Sequence, residues 1–309
     1  MVSNFNELET ESAMPTIDTH GITIAYEESG DPSGRPIVLI MGLGMQLVAW
    51  PDAFIQGLER MGRRVIRFDN RDVGLSSKLD ETGRVNTKIV MLKTFLGMGI
   101  RAPYTLNDMA DDTIGLMDAL GLDEAAILGV SMGGMIAQVL AARFPARVTH
   151  LVSIMSTTGS RDLPAAKMDA IRAIANRPTK GADLDAIIEY TLNVAKVIGS
   201  PRFPNDSELV RKRTLAALER STHLDGMPRQ LAAVMAAGDR VELLKTIRVP
   251  TLVVHGADDP LVPVEGGRHT ARLIPKASLK IIEGMGHDLA PGVIPLILDA
   301  LENHLHSRA

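Results

Sequence analysis

The sequence predicts an α/β fold with a mostly parallel central sheet, helices on both faces and an inserted helical segment. Short continuous apolar runs, such as 36–40 and 125–128, are typical of parallel strands that are covered on both sides. Helical patterns follow several of these runs, and the alternation of strand and helix is that of an α/β fold. The stretch 157–240 contains only helical patterns, separated by breaks with Pro and Gly, and it therefore predicts an insertion.

Composition limits the class of protein. The 309 residues are 45% hydrophobic and 23% charged, which suffices for one large domain with an inserted subdomain. Cysteine is absent, so disulfides and thiolate metal sites are excluded. Basic and acidic residues are interspersed and the net charge is −4, so nucleic acid is not an expected partner.

The organisation predicted from these patterns has three parts. Residues 1–14 are polar and acidic, lack the features of a signal peptide, and are expected to form a flexible tail. The core is expected to comprise 15–156 and 241–309, with 157–240 as a helical cap. No apolar run approaches the length of a membrane span, so we expect a cytoplasmic protein without membrane insertion. The oligomeric state does not follow from the sequence.

The elements before the insertion begin with an alternating stretch that predicts a hairpin. Polar turn 69–76 follows the fourth predicted strand, and its Asp69 and Arg71 are expected to bond buried backbone groups and each other. The predicted strands are 16–28 (the hairpin), 36–40, 64–68, 125–128 and 148–155, and the predicted helices are 51–60, 89–98, 106–120 and one from 135 to 144.

The same hydrophobic patterns predict the helices and strands of the insertion and of the rest of the chain. Four helices are predicted within the insertion, and the α/β alternation then resumes to the end of the chain. The predicted helices are 164–176, 184–198, 207–221, 228–237, 264–274 and 293–304, and the predicted strands are 250–254 and 277–282.

The clearest functional signal is Gly129-Val130-Ser131-Met132-Gly133, which matches the G-x-S-x-G nucleophile elbow between a strand and a helix. The turn holds the serine in a strained conformation, and side chains at 129 or 133 would collide with their neighbours. The Met132 amide would lie at the helix N-terminus, where free N–H groups favour a developing negative charge. The alternative interpretation is a simple glycine-rich loop.

A serine hydroxyl needs a base, normally histidine, and a carboxylate that orients the imidazole. Among eight histidines, His287 alone lies in a glycine-flanked loop just after a late strand. The loop after strand 250–254 offers Asp258 and Asp259, and either could orient His287. The other aspartate would then be a surface or turn-forming residue.

The order Ser131, Asp259, His287 resembles that of the α/β-hydrolase fold, and the resemblance extends from about residue 15 to 305. The family pattern G-x-x-D-x-x-V-P, found at 256–263, favours Asp259 over Asp258, and its G-x-G-H pattern is found at 284–287. The family pattern D-x-R-G-x-G-x-S is found at 69–76, with Asp72-Val73 in place of Gly-x. Within the family, the chain is most similar to serine esterases of the aclacinomycin-methylesterase type.

This resemblance implies an acyl-enzyme mechanism that uses neither a metal nor a cofactor. It places the second oxyanion donor on the amide of Leu43, opposite that of Met132. Many relatives carry His-Gly where this chain has Met41-Gly42, a change expected to affect loop shape rather than chemistry. Serine at the elbow excludes haloalkane dehalogenases and their epoxide-hydrolase relatives, which need Asp there.

The predicted function is hydrolysis of a small-molecule carboxylic ester in an apolar, cap-covered pocket. Residues predicted to contact the substrate are Gly42, Ile188 and Thr191. Two alternatives stay open: the same triad acting as a carbon–carbon bond hydrolase, a lactonase or a perhydrolase, and a ligand receptor without catalysis. Because function resides in a site rather than a fold, the complete Ser, Asp and His set favours the enzyme.

Overall fold

The computed structural model describes residues 14–178, 181–223 and 225–306. The predicted flexible tail, 1–14, lies outside these residues except for its last position. Within the described ranges, eight strands form one sheet in the order β1-β2-β4-β3-β5-β6-β7-β8. The strands are β1 (Thr16–Thr19), β2 (Ile22–Gly30), β3 (Arg35–Ile40), β4 (Arg63–Phe68), β5 (Ala125–Val130), β6 (Val148–Ile154), β7 (Thr251–Gly256) and β8 (Ser278–Ile282).

The sheet is mostly parallel, as predicted. Strands β1 and β2 pair antiparallel with each other, and β2 pairs antiparallel with β4. All pairs from β4 to β8 are parallel. The carboxyl ends of the central strands therefore lie along one edge, where open α/β sheets place their ligand sites.

The helices of the described residues are α1 (Asp52–Arg60), α2 (Thr87–Phe95), α3 (Leu106–Ala119), α4 (Met132–Arg143), α5 (Met168–Ala175), α6 (Leu184–Ile198), α7 (Ser207–Arg220), α8 (Gly226–Ala236), α9 (Val241–Leu244), α10 (Glu265–Leu273) and α11 (Ile294–Leu305). Of these helices, α1, α3, α4, α10 and α11 pack on the sheet. The bounds differ from the predicted ones by a few residues, and the short α9 was not predicted. Helix α5 begins four residues later than expected: its N-cap residue Lys167 is extended, and the Lys167 amide donates to the Pro260 carbonyl (2.8 Å) instead of entering the helix.

Strand β3 shows how the core is divided. Its residues alternate between the faces, so that Val38 and Ile40 pack with α3 and α4 while Ile37 and Leu39 pack with α1 and α11. All four side chains are fully buried. A continuous apolar run therefore identifies a strand that is covered on both sides.

Helices α5 to α8 lie between β6 and β7 in the chain, and buried ion pairs connect them to the core. Arg229 of α8 donates to both carboxylate oxygens of Asp72 (2.7 and 2.9 Å). Arg220 of α7 lies 3.0 Å from a carboxylate oxygen of Asp69. Burial would raise the pKa of Asp72, but hydrogen bonds from Arg229, Leu79 and other groups lower it below its ordinary value.

The predicted pairing of Asp69 with Arg71 is wrong. Asp69 does accept from two backbone amides, those of Leu47 (2.7 Å) and Leu75 (2.9 Å), as expected. Its ion-pair partner, however, is Arg220, and Arg71 pairs instead with Asp112 of α3 at 2.6 Å. Each of these ion pairs joins residues that are distant in sequence, so the fold rather than the turn itself determines the partners.

Among the described residues, no helix combines the length and apolar character that a bilayer crossing requires.

We expect Arg229→Met to destabilise the protein by about 3–5 kcal/mol, because it leaves the buried Asp72 carboxylate without its cation. Equilibrium denaturation of the wild type and the variant measures this difference. Arg172→Met is the matched control, since Arg172 pairs with Asp169 on the surface, where the two side chains are 69% and 82% exposed. The control should change stability by less than about 1 kcal/mol, and an equal effect of both substitutions would contradict the prediction.

Candidate active site

Ser131 lies at the turn between β5 and α4, at the carboxyl edge of the sheet. Its backbone has φ 54° and ψ −118°, a left-handed conformation that costs free energy for a residue with a side chain. The Ser131 amide donates to the Ile154 carbonyl of β6 (2.9 Å), and this bond helps to hold the strained turn. The observed conformation agrees with the strained turn expected of the elbow.

The two outer glycines of the motif are required by close contacts. A Cβ atom at Gly133 would lie 2.0 Å from the carbonyl oxygen of Ile40 in β3. One at Gly129 would lie 2.1 Å from the carbonyl oxygen of Gly133. Because both neighbours are backbone atoms, a methyl group could be accommodated only by moving the strand or the helix.

Three side chains from separate loops form a continuous hydrogen-bonded row. The Ser131 Oγ lies 3.0 Å from Nε2 of His287, and Nδ1 of His287 lies 2.7 Å from an oxygen of Asp259. An ionised carboxylate only accepts hydrogen bonds, so Nδ1 carries the proton. Nε2 is then the acceptor for the serine hydroxyl, which is the arrangement that a general base requires.

Asp259 is held by its own loop. Its other oxygen accepts from the amides of Leu261 (2.9 Å) and Val262 (2.8 Å). Burial alone would raise the pKa of Asp259, but the charge of His287 and hydrogen bonds from His255, His287 and Val262 lower it well below the ordinary value. The carboxylate therefore stays ionised beside the imidazole.

The neighbouring Asp258 has a different role, as the sequence allowed for the aspartate that does not face His287. Its carboxylate accepts from the Gly284 amide (2.9 Å) and so ties the Asp loop to the His287 loop.

The end of helix α6 supports the His287 loop. The His287 amide donates to the Ile198 carbonyl (2.7 Å), and the Gly286 amide donates to the Ser200 hydroxyl (2.9 Å). That hydroxyl in turn donates to the carboxylate of Asp288, whose pKa is raised mainly by burial. Sequence reasoning missed these contacts because they join residues more than eighty positions apart.

His255, for which no sequence pattern predicts a role, lies beside the Asp259 carboxylate. It is fully buried, and its Nε2 lies 3.5 Å from the carboxylate and 2.8 Å from the Val262 carbonyl. The spacing of four residues between His255 and Asp259 was the available signal, since both flank one tight turn after β7.

The turn 41–45 lies directly over Ser131. A Cβ atom at Gly42 would be 3.3 Å from the Ser131 Cβ and 3.9 Å from its Oγ. Within the described part of the chain, the amides of Leu43 and Met132 donate no hydrogen bond. Met132 is the first residue of α4, where backbone amides lack intrahelical acceptors.

The other two predicted substrate contacts, Ile188 and Thr191, both lie on helix α6. Ile188 is 3% exposed on α6. The Thr191 hydroxyl donates to the Ile187 carbonyl of its own helix (2.9 Å). Their contact with substrate stays a prediction.

Comparison with known proteins places the chain in a family. Residues 35–186 match the family described as α/β hydrolase fold, and 233–297 match the family described as TAP-like protein. The rhodomycin D methylesterase of Streptomyces sp. (strain C5) is 27% identical over 89% of this chain and 93% of its own length. The putative carbamate hydrolase RutD of Caulobacter sp. (strain K31) is 30% identical over 85% of this chain and 88% of its own length.

A solved structure agrees in fold. The meta-cleavage product hydrolase of Pseudomonas fluorescens IP01 superimposes with a TM-score of 0.74, at 23% identity, over 94% of this chain and 97% of that one. The fold is that of an α/β hydrolase. The chain belongs to the α/β-hydrolase fold family, and it is related to methylesterases.

We expect Asp259→Asn to weaken the acid dependence of stability. Because the pKa of Asp259 in the folded chain is below its ordinary value of 3.8, the carboxylate stabilises the fold above about pH 4. That stabilisation is lost as the pH falls through the folded-state pKa. Below about pH 4, the wild-type free energy of unfolding should therefore fall more steeply than the variant's, by up to about 1.4 kcal/mol per pH unit.

Denaturant titrations of both proteins at several acidic pH values measure these slopes. Parallel dependence on pH in the two proteins would contradict the assignment of a lowered pKa to Asp259.

Proposed function

We propose that this protein is a serine hydrolase that cleaves carboxylic esters through an acyl-enzyme intermediate. The observation that carries the proposal is the row Ser131, His287, Asp259, with 3.0 and 2.7 Å between successive polar atoms. The relation to a methylesterase favours esters over other acyl substrates.

In the proposed reaction, the Ser131 Oγ attacks the ester carbonyl while His287 Nε2 takes its proton. The tetrahedral intermediate collapses when His287 returns that proton to the leaving alcohol. Water, activated by the same nitrogen, then attacks the acyl-enzyme and releases the acid and free Ser131. Asp259 keeps the proton on Nδ1 and stabilises the imidazolium that forms in each half-reaction.

We further propose that the amides of Leu43 and Met132 form the oxyanion hole. Two observations support this: neither amide has an acceptor among the described residues, and Gly42 lies against Ser131. In related chemistry, loss of one such donor lowers kcat by about 10²–10³-fold.

Helices α5 to α8 are proposed to cap this site and to shape the substrate pocket. Their contacts with the core support the proposal, because Ser200 supports the His287 loop and Arg229 binds the 69–76 turn. Gly42 and the α6 residues Ile188 and Thr191 are the proposed substrate contacts.

The test is hydrolysis of p-nitrophenyl esters of graded acyl length by the wild type and by Ser131→Ala. We expect turnover by the wild type and a loss of roughly 10⁴–10⁶-fold in kcat in the variant, since the nucleophile is removed. The acyl length that is hydrolysed fastest indicates the length of the acyl-binding pocket. A fluorophosphonate should label the wild type at Ser131 and leave the variant unlabelled.

Ser278→Ala is the control, because Ser278 is exposed at the start of β8 and away from the row. It should retain wild-type turnover. A wild type that neither hydrolyses esters nor reacts with the fluorophosphonate would contradict the proposal and favour a ligand-binding role. Labelling without ester turnover would direct the search to lactones and carbon–carbon substrates.

A further inference from the structure

The middle of the 41–45 turn is held by a residue from the helical insertion. The Gly44 amide donates to Oε1 of Gln230, on helix α8, at 2.8 Å. Nε2 of Gln230 donates to the Arg71 carbonyl at 2.8 Å, and the side chain is fully buried. Because Nε2 needs a carbonyl acceptor and Gly44 offers a donor, the orientation of the amide group is determined by its two partners.

This contact acts next to the proposed oxyanion donor. The Met45 amide donates to the Gly42 carbonyl (3.3 Å) and closes the turn. Since the peptide group is planar and trans, the Leu43 N–H points opposite to that carbonyl. Leu43 therefore lies between two peptide groups whose directions are set by hydrogen bonds, one from Met45 and one to Gln230.

Helix α8 packs on the turn as well as bonding to it. A Cβ atom at Gly44, which has φ +69°, would lie 3.0 Å from the Met227 Cγ. Met227 and Gln230 are three residues apart and so share one helix face. The helix itself is fixed to the core by Arg229, which binds Asp72 and Asp80.

In the described part of the chain, core side chains bond to the backbone on either side of positions 42–45, at Met41 and at Leu47. Asn70 donates to the Met41 carbonyl (3.1 Å), and Asp69 accepts from the Leu47 amide (2.7 Å). Among the described residues, the one side-chain hydrogen bond to 42–45 comes from Gln230.

We propose that Gln230 is a positioning residue for catalysis: from helix α8 it holds the Gly44 amide and thereby aims the Leu43 N–H at the oxyanion. The inference rests on the proposed function. If Gln230 has this role, stabilisation of the transition state depends on the position of helix α8 relative to the 41–45 turn. This effect is separate from any effect of α8 on substrate choice.

The test compares Gln230→Met with Gln138→Met. Both substitutions keep the side-chain length and remove a fully buried amide, but Gln138 lies on α4 and bonds to Ser153 and Arg240. Because the oxyanion forms only in the transition state, Gln230→Met should lower kcat by about 10–100-fold and leave KM within about 2-fold. Gln138→Met should keep kcat within about 2-fold of the wild type, even where its melting temperature falls.

Gln230→Glu supplies a second readout that a purely structural role would not produce. The ionised carboxylate still accepts from Gly44, but its other oxygen faces the Arg71 carbonyl and repels it. The protonated acid can donate to that carbonyl again, so the kcat of the variant relative to the wild type should fall as the pH rises. If Gln230→Met does not fold, this pH profile still tests whether Gln230 positions the turn.

Three outcomes would overturn the inference: an unchanged kcat in Gln230→Met, equal losses of kcat in both Met variants, or a pH-independent ratio in Gln230→Glu. Each of these leaves ester hydrolysis by Ser131 intact. A wild type that lacks both ester turnover and fluorophosphonate labelling would instead overturn the proposed function, and this inference with it.

Discussion

The close approach of helix α4 to strand β3 is the constraint on which the site depends. At Gly133 the helix lies so near the Ile40 carbonyl that no side chain fits between them. This approach brings the turn after β3 over the turn after β5, and Gly42 consequently lies against Ser131. The strained backbone of Ser131 is the cost of that arrangement, and the bond from its amide to Ile154 offsets part of it.

Buried carboxylates connect this edge of the sheet to the helical insertion. Asp69 and Asp72 are fully or almost fully buried, and each accepts from a core backbone amide and from an arginine of α7 or α8. A buried anion with neither partner would destabilise the fold by several kcal/mol. Arg220 and Arg229 therefore stabilise the core, and they also attach α7 and α8 to it.

The sequence predicted best those features that depend on residues close together in the chain. Gly129 and Gly133 were expected to be glycine because a side chain would collide, and the contacts of both positions agree. Apolar runs located the strands for the same reason, since burial on both faces is visible in five or six residues. The family pattern at 256–263 favoured Asp259, and the carboxylate that meets His287 is indeed Asp259.

Prediction was weakest where partners are chosen by tertiary structure. Arg71 and Arg220 are equally suited to Asp69 by chemistry, and only the fold shows that Arg220 reaches it. Gln230 and Gly44 are separated by 186 positions, and neither residue type signals the other. A single glutamine in an amphipathic helix carries no pattern, so its bridging role becomes visible only once α8 is placed on the 41–45 turn.

Both loops that flank Ser131 therefore depend on helices that lie between β6 and β7 in the chain. The amide of His287 bonds to the last residue of α6, and the turn with Leu43 bonds to α8. Packed interfaces have discrete arrangements rather than a continuous range, so a displacement of α6 and α8 would disturb the proposed base and the proposed oxyanion donor together. Residues that only shape a pocket would alter binding of one substrate relative to another. In the proposed mechanism, residues that connect these helices to the two loops act on the transition state of every substrate, because the row Ser131, His287, Asp259 and the two amides are common to all of them.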